Sequence, residues 1–198
     1  MKAIIIEKSS AQPTYHSAAL VEVAKPIDLD AEQALIEVQA VSFNHRELWI
    51  RKGQYPGIIF GSILGADGVG KIVDIKPTTG SKLRIGDRVV VMPSVGWTKD
   101  PRGPEEAYYI LGGGHASGVF TEYHVSLQED LFKAPEHLTD AEAAALPLAG
   151  LTAYRAVFTK GLVSKGQNVL ITGIGEGRCG CLEETLTSMW PEQSFASS

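Results

Sequence analysis

Gly173, Gly175 and Gly177 stand directly behind Asn168 to Thr172 (NVLIT), an apolar run with the look of a strand buried in a parallel sheet. A strand that turns sharply on glycine presents backbone amides with no side chain in front of them, and amides so placed can cradle a pyrophosphate. The loop is only part of that fingerprint. A full G-x-G-x-x-G would have glycine where Arg178 stands, and Glu176 puts a carboxylate where phosphate oxygens would come, so that like charges repel.

Other groups able to do chemistry are sparse. Cys179 and Cys181, the only cysteines, are spaced C-x-C, which matches neither a common zinc spacing nor a disulfide framework. His16, His45, His115, His124 and His137 form no H-x-x-x-H pair, and none is assigned a catalytic role; His124 and Glu122, two apart on one strand face, read as a solvated pair. Asp67 lies between glycines and reads as a turn residue. No G-x-S-x-G elbow supports a serine hydrolase.

These residues sit in a chain with 198 residues, 44% of them hydrophobic, enough for an ordinary core. The net charge of −5, with no cluster of basic residues among aromatics, argues against a nucleic-acid partner. No apolar run is long enough to span a membrane, and the stretch in MKAIIIEKSS is too short for a signal peptide, so the expected location is the cytoplasm.

Strands are expected at Lys2–Glu7, Leu20–Val23, Ala34–Phe43, Lys71–Ile75, Arg88–Met92 and Val119–Val125. Asn44, with Glu47 three residues on, has the spacing of a capping box at the start of a short helix. Residues 93–118 carry glycine and proline throughout with no clear period, which predicts a long loop. TDAE from Thr139 is a second capping box, and Pro147 divides the following pattern into two consecutive helices. Short strands and turns first, then helices and a strand, predict an α+β chain whose β-rich part is a small barrel or partly open β-fold.

The segments NHRELWIRKGQYPG, GADGVGKIVDI, RIGDRVVV, GVFTEY, LPLAGLTAYRAVF and KGQNVLITGIG resemble, in order and spacing, the medium-chain dehydrogenase/reductase superfamily. The likeness is strongest to its zinc-independent quinone and enoyl reductase branch and the fungal-type alcohol-dehydrogenase-like proteins near it. The first segment is similar to the family's N-x-x-D-x-x-x-R-x-G-x-Y-P. The resemblance implies a mostly β GroES-like catalytic domain over 1–128, then the first elements of a Rossmann domain over 129–177. It further implies NADPH as cofactor, a small-molecule substrate between the domains, and hydride transfer to a quinone, enone or related carbonyl. Asn44 and Thr152 would lie near the nicotinamide and its ribose, Gly173 and Gly175 near the pyrophosphate, and Tyr55 with the 93–118 loop in the substrate pocket. Read from the residues alone, Asn44 is equally a helix cap, Thr152 an ordinary helix residue and Tyr55 a packing aromatic.

Zinc-dependent relatives supply a cysteine where Asn44 stands and a histidine–glutamate pair where Ala66 and Asp67 stand, so no zinc is expected. Beyond Gly177 the family pattern is lost. Residues 178–198 show no sustained amphipathic period, and the expectation is a divergent, disordered tail on a truncated product of weak or no activity. The alternative is a non-catalytic GroES-like fragment acting through protein partners, with the strand Asn168–Thr172 left as an unpaired edge open to association.

Overall fold

The computed structural model describes residues 1–9 and 15–171, together with the backbone of residues 196–197. Its main sheet has five antiparallel strands in the order β8 (Tyr123–Leu127), β3 (Gln33–Ser42), β4 (Asp67–Ile75), β5 (Arg88–Val91) and β9 (Leu131–Lys133). β3 is the long central strand. Register shifts between Leu35 and Ile36 and between Val38 and Ala40 bend it against β4, and bulges of this kind curl a sheet. The hairpin of β1 (Lys2–Glu7) and β2 (Ser17–Glu22) closes part of the curl through the bridges Ala3↔Thr121 and Ile5↔Ile63. Inside lie Ile6, Ile36, Ile72, Val89, Val119 and Phe120, all buried. The architecture is the mostly β, GroES-like one that the sequence led us to expect.

Alternation along β4 separates two faces. Gly70 and Ile72 turn to the core, and a Cβ on Gly70 would come within 2.3 Å of the Glu37 carbonyl oxygen, so glycine here lets β3 and β4 approach. Gly65, at φ +91°, serves a similar end: a Cβ there would strike the Phe120 ring at 2.1 Å. Val69 faces the other way, onto Ala143 and Ala144 of α2 (Asp140–Ala145).

Thr139 caps α2 as its spacing predicted, its N–H donating to the Glu142 carboxylate (2.8 Å) while its hydroxyl accepts from the Glu142 N–H (3.3 Å). Pro147 starts a new helix, α3 (Pro147–Tyr154), because the first helical position needs no N–H. α3 continues into a π-helical segment, Arg155–Lys160, closed by the Gly161 N–H on the Ala156 carbonyl (2.8 Å). Arg88 of β5 fastens these helices to the sheet: its guanidinium donates to the Asp140 carboxylate (2.6 Å) and to the Pro135 (3.0 Å) and Leu138 (2.8 Å) carbonyls. No helix among the described residues is long and apolar enough to cross a membrane.

The structure departs from the sequence reading in four places. Asp67 does not serve a turn but opens β4, fully buried. Regular pairing resumes at Tyr123 rather than Val119, and β9 pairs with β5 at the edge of the sheet. His124 pairs in register with the core residue Ile36, so its side chain turns inward; it is 4% exposed, and its ring donates to the Gly118 carbonyl. Glu122 instead accepts from the Lys2 N–H (2.8 Å). Finally, within the stretch expected as a free edge, β10 (Leu170–Ile171) pairs in parallel with β11 (Ala196–Ser197). The rest of the tail, with Cys179 and Cys181, lies outside the described residues.

Burial pushes the His124 pKa down to about 4 from 6.5, the Gly118 carbonyl opposing. A depressed histidine stabilises the fold above its unfolded pKa, and that contribution is lost as pH falls through the folded one. We therefore predict that stability declines from pH 6.5 toward pH 4 by about 3 kcal/mol through this group, at ~1.4 kcal/mol per tenfold change in proton affinity. Denaturant unfolding of the wild type and His124→Gln across that range checks this. A variant with the same acid slope as the wild type would refute it.

Candidate active-site cleft

α1 (His45–Arg51) is a short helix whose first turn is tied from both sides. Asn44 is its extended N-cap residue (φ −125°), and the Asn44 N–H donates to the Glu47 carboxylate at 2.7 Å. Arg46 and Glu47 are both buried and form an ion pair (3.0 Å), and the Arg46 guanidinium also donates to the carbonyls of Leu111 (2.8 Å) and Gly112 (2.7 Å). These bonds offset the desolvation of two buried charges and fix the end of the 93–118 segment to α1. Burial pushes the Glu47 carboxyl above its usual range, and the Arg46 charge beside it pulls it back.

Asp67 is the second buried acid, and its two oxygens join three elements. One accepts from the Asn44 side-chain amide (2.9 Å), the other from the Leu148 N–H (3.0 Å) in the first turn of α3. That N–H has no partner within its helix, and the helix N-terminus favours a negative group. Burial pushes the Asp67 pKa up to about 6, and the charge of Glu47 adds to the rise, while the Asn44 and Leu148 bonds and Arg46 oppose it.

Above this network lies a cleft of about 1320 Å³. One wall is α1 with Trp49, continued by Tyr55; the second is the lobe between β6 (Ser94–Val95) and β7 (Tyr109–Ile110), with Trp97 and Tyr108; the third is α3 and its π-helical extension, with Thr152 and Tyr154. The lobe is thus the long loop expected from residues 93–118, pinned by one short antiparallel pair. The Tyr55 hydroxyl accepts from the Arg46 Nε at 3.5 Å, and the Arg46 guanidinium lies 4.9 Å from the Tyr55 ring centre.

Of the residues singled out from sequence, Tyr55 and Thr152 come to the same cleft, one beside α1 and the other on α3. Asn44 lies behind it, its amide turned to Asp67. Gly173 and Gly175 lie outside the described residues. Sequence reasoning missed Asp67, Arg46 and Arg155, which also lines the cleft. For Asp67 a signal was present: a lone acid within the run IIFGSILGADGVGKIV must find a buried partner. At the three positions where zinc-dependent relatives carry ligands, Asn44, Ala66 and Asp67 present an amide, a methyl and a carboxylate. Among the described residues no group of three or more His, Cys, Asp or Glu is gathered to hold a metal ion.

Because the folded state raises the Asp67 pKa from 3.8 to about 6, its contribution to stability is fully present below the unfolded value and lost as pH rises through the folded one. Asp67→Asn keeps an acceptor for the Leu148 N–H and carries no charge. Relative to the wild type, it is predicted to gain about 2–3 kcal/mol between pH 4 and pH 7; Asp67→Ala, which also loses the titrating carboxyl, should follow the same slope but lie about 2–3 kcal/mol below Asp67→Asn at both pH values, because it leaves the Leu148 N–H and the Asn44 amide unpaired. Parallel unfolding curves measured at the two pH values decide this; a pH-independent offset for Asp67→Asn contradicts it.

The alcohol dehydrogenase GroES-like domain family matches residues 30–136. The chain is 37% identical over 179 residues to a zinc-type alcohol dehydrogenase-like protein, YogA, of Leptosphaeria maculans, covering 86% of this chain and 50% of that protein. It is 27% identical over 156 residues to a quinone oxidoreductase of Homo sapiens, covering 79% of this chain and 41% of that one. A solved NAD-dependent alcohol dehydrogenase superposes with a TM-score of 0.82 at 28% identity, over 95% of this chain and 55% of that structure. The chain spans about half the length of the curated relatives it matches. With its curled sheet, its cleft beside α1 and the family match over most of the β-rich part, the chain belongs to the alcohol dehydrogenase GroES-like family of the medium-chain dehydrogenase/reductase superfamily.

Proposed function

We propose that this chain carries the substrate-facing part of a cytoplasmic, zinc-independent oxidoreductase that uses NADPH to reduce a quinone, enone or related carbonyl. The observation that carries the reading is the cleft itself, walled by aromatic planes, with a buried amide–carboxylate pair behind it at the positions of the metal donors. Its volume of about 1320 Å³ is ample for a nicotinamide ring beside a planar substrate, as ligand pockets commonly measure roughly 300–1000 Å³. In this reading the chain divides near residue 128, GroES-like before it and nucleotide-binding after it.

When bound, a dihydronicotinamide supplies hydride; the protein's part is to orient, to exclude water and to hold developing charge. Thr152 offers a hydroxyl on the α3 wall for the carboxamide or ribose. Asn44, its amide group spent on Asp67, keeps its side-chain carbonyl as an acceptor. Tyr55 accepts from Arg46, which leaves its own O–H to donate to an oxygen that gains negative charge. Gly173 and Gly175 are assigned to the pyrophosphate. In this chemistry a hydrogen-bond donor takes the place of a Lewis acid.

A second reading, that the chain is a non-catalytic GroES-like unit acting through a protein partner, draws on the exposed apolar residues after the sheet: Leu162 is 73% exposed and Leu170 68%. Fluorescence titration of the purified chain with NADPH, and with NADH beside it, separates the two. Saturation in the micromolar range is the expected result, with Tyr55→Phe then lowering quinone reduction by about 10- to 100-fold at little cost to NADPH binding. No binding up to millimolar cofactor, with concentration-dependent association in sedimentation, would favour the second reading and overturn the first.

A further inference from the structure

The lobe between β6 and β7 is built as a unit. The Glu105 N–H donates to the Gly96 carbonyl (2.9 Å), and the Glu105 carboxylate accepts from the N–H groups of Thr98 (3.1 Å) and Lys99 (2.8 Å). The Trp97 indole N–H donates to the Asp100 carbonyl (2.8 Å), and the Trp97 ring meets Tyr108 edge to face at 5.5 Å. Among the described residues, the backbone hydrogen bonds of 96–108 stay within the lobe and its base. What crosses the cleft comes from side chains of the π-helical segment. The Arg155 guanidinium lies 3.9 Å from the Trp97 ring centre and donates to the carbonyls of Pro101 and Arg102, and the Lys160 ammonium donates to the same Arg102 carbonyl at 2.9 Å.

We propose that Arg155 is a clamp, which by stacking on Trp97 and binding the Pro101 and Arg102 carbonyls holds the lobe closed across the cleft, and whose release opens the cleft for a ligand to enter or leave. Two features make this a releasable joint rather than part of the core. The acceptors are main-chain carbonyls on a surface loop, which water can satisfy when the clamp lets go. And the joint connects two pre-formed units, the lobe and the helix, so that opening breaks a few side-chain bonds and no backbone pairing. The guanidinium suits the task as an ammonium would not, since one flat group both covers an indole face and reaches two adjacent carbonyls. Arg155 is here a positioning residue, and its link to ligand entry rests on the oxidoreductase reading of the cleft.

The lobe carries its own reporter. The Arg102 side chain is 87% exposed, yet the carbonyl that trypsin must attack after it is the one held by Arg155 and Lys160. Cleavage between Arg102 and Gly103 therefore measures the open population. Brief trypsin digestion read by mass spectrometry should show this cut about tenfold faster in Arg155→Met than in the wild type, with Arg155→Lys between them, while the cut after exposed Lys82 and the melting temperature stay unchanged. Trp97→Leu removes the stacking surface without touching the helix; it should accelerate the same cut and decides the matter if Arg155→Met does not fold. Rates after Arg102 within twofold of the wild type in both variants would overturn the clamp. Faster cutting in a chain that binds no NADPH would uphold the clamp and refute the oxidoreductase reading; unchanged cutting in a chain that binds NADPH would do the reverse.

Discussion

The carboxylate of Asp67 is the point where sheet, capping residue and second-half helix meet. It is fully buried, yet both its oxygens are hydrogen-bonded, one by Asn44 across 23 positions of sequence and the other by Leu148 across 81. Replacing it by an apolar residue of like size would strand an amide and a helix-end N–H. Retaining it costs desolvation, which the raised pKa expresses. The fold therefore holds the floor of its cleft with a group under electrostatic tension, and Arg46, one layer away, relieves part of that tension while tying down Leu111 and Gly112.

Local signals were read correctly from sequence. The Thr139 box, the Pro147 restart and the Asn44–Glu47 spacing depend on groups a few residues apart, and the structure forms each of them. Long-range placement was not legible. Asp67 looks like a turn residue because Gly65 and Gly68 flank it, and only the close packing of Phe120 and Val119 against those positions shows why the glycines are there. His124 was misread for a related reason: alternation along VFTEYHV assigns faces only relative to a partner strand, and the register with β3 turns the imidazole inward. Tyr55 and Thr152 were found through family likeness, and nothing in their own neighbourhoods foretold that they would line one cleft.

The three walls of that cleft differ in how they are held. α1 is anchored by buried charge, α3 by the Asp67 carboxylate at its start and the Arg88 cluster before it, and the lobe by its short strand pair and the Arg155 contact. Rigidity is thus graded from the floor to the mouth. The π-helical turn lies where the gradient is steepest, and such turns often mark places where helices reshape.

The sheet order also sets a schedule for the chain's own synthesis. β3 borders β4, its near neighbour in sequence, but also β8, some 90 residues on, and β5 waits for β9. Non-local pairing of this kind is slow, because a long loop must close before any contact repays it. Until Lys133 has left the ribosome, the outer edges of β3 and β5 are bare, and the Val89–Val91 run has nothing on one side. The nascent protein consequently passes through a stage in which two adhesive strand edges are exposed together, and it is then, rather than after folding is complete, that it most needs a chaperone's cover.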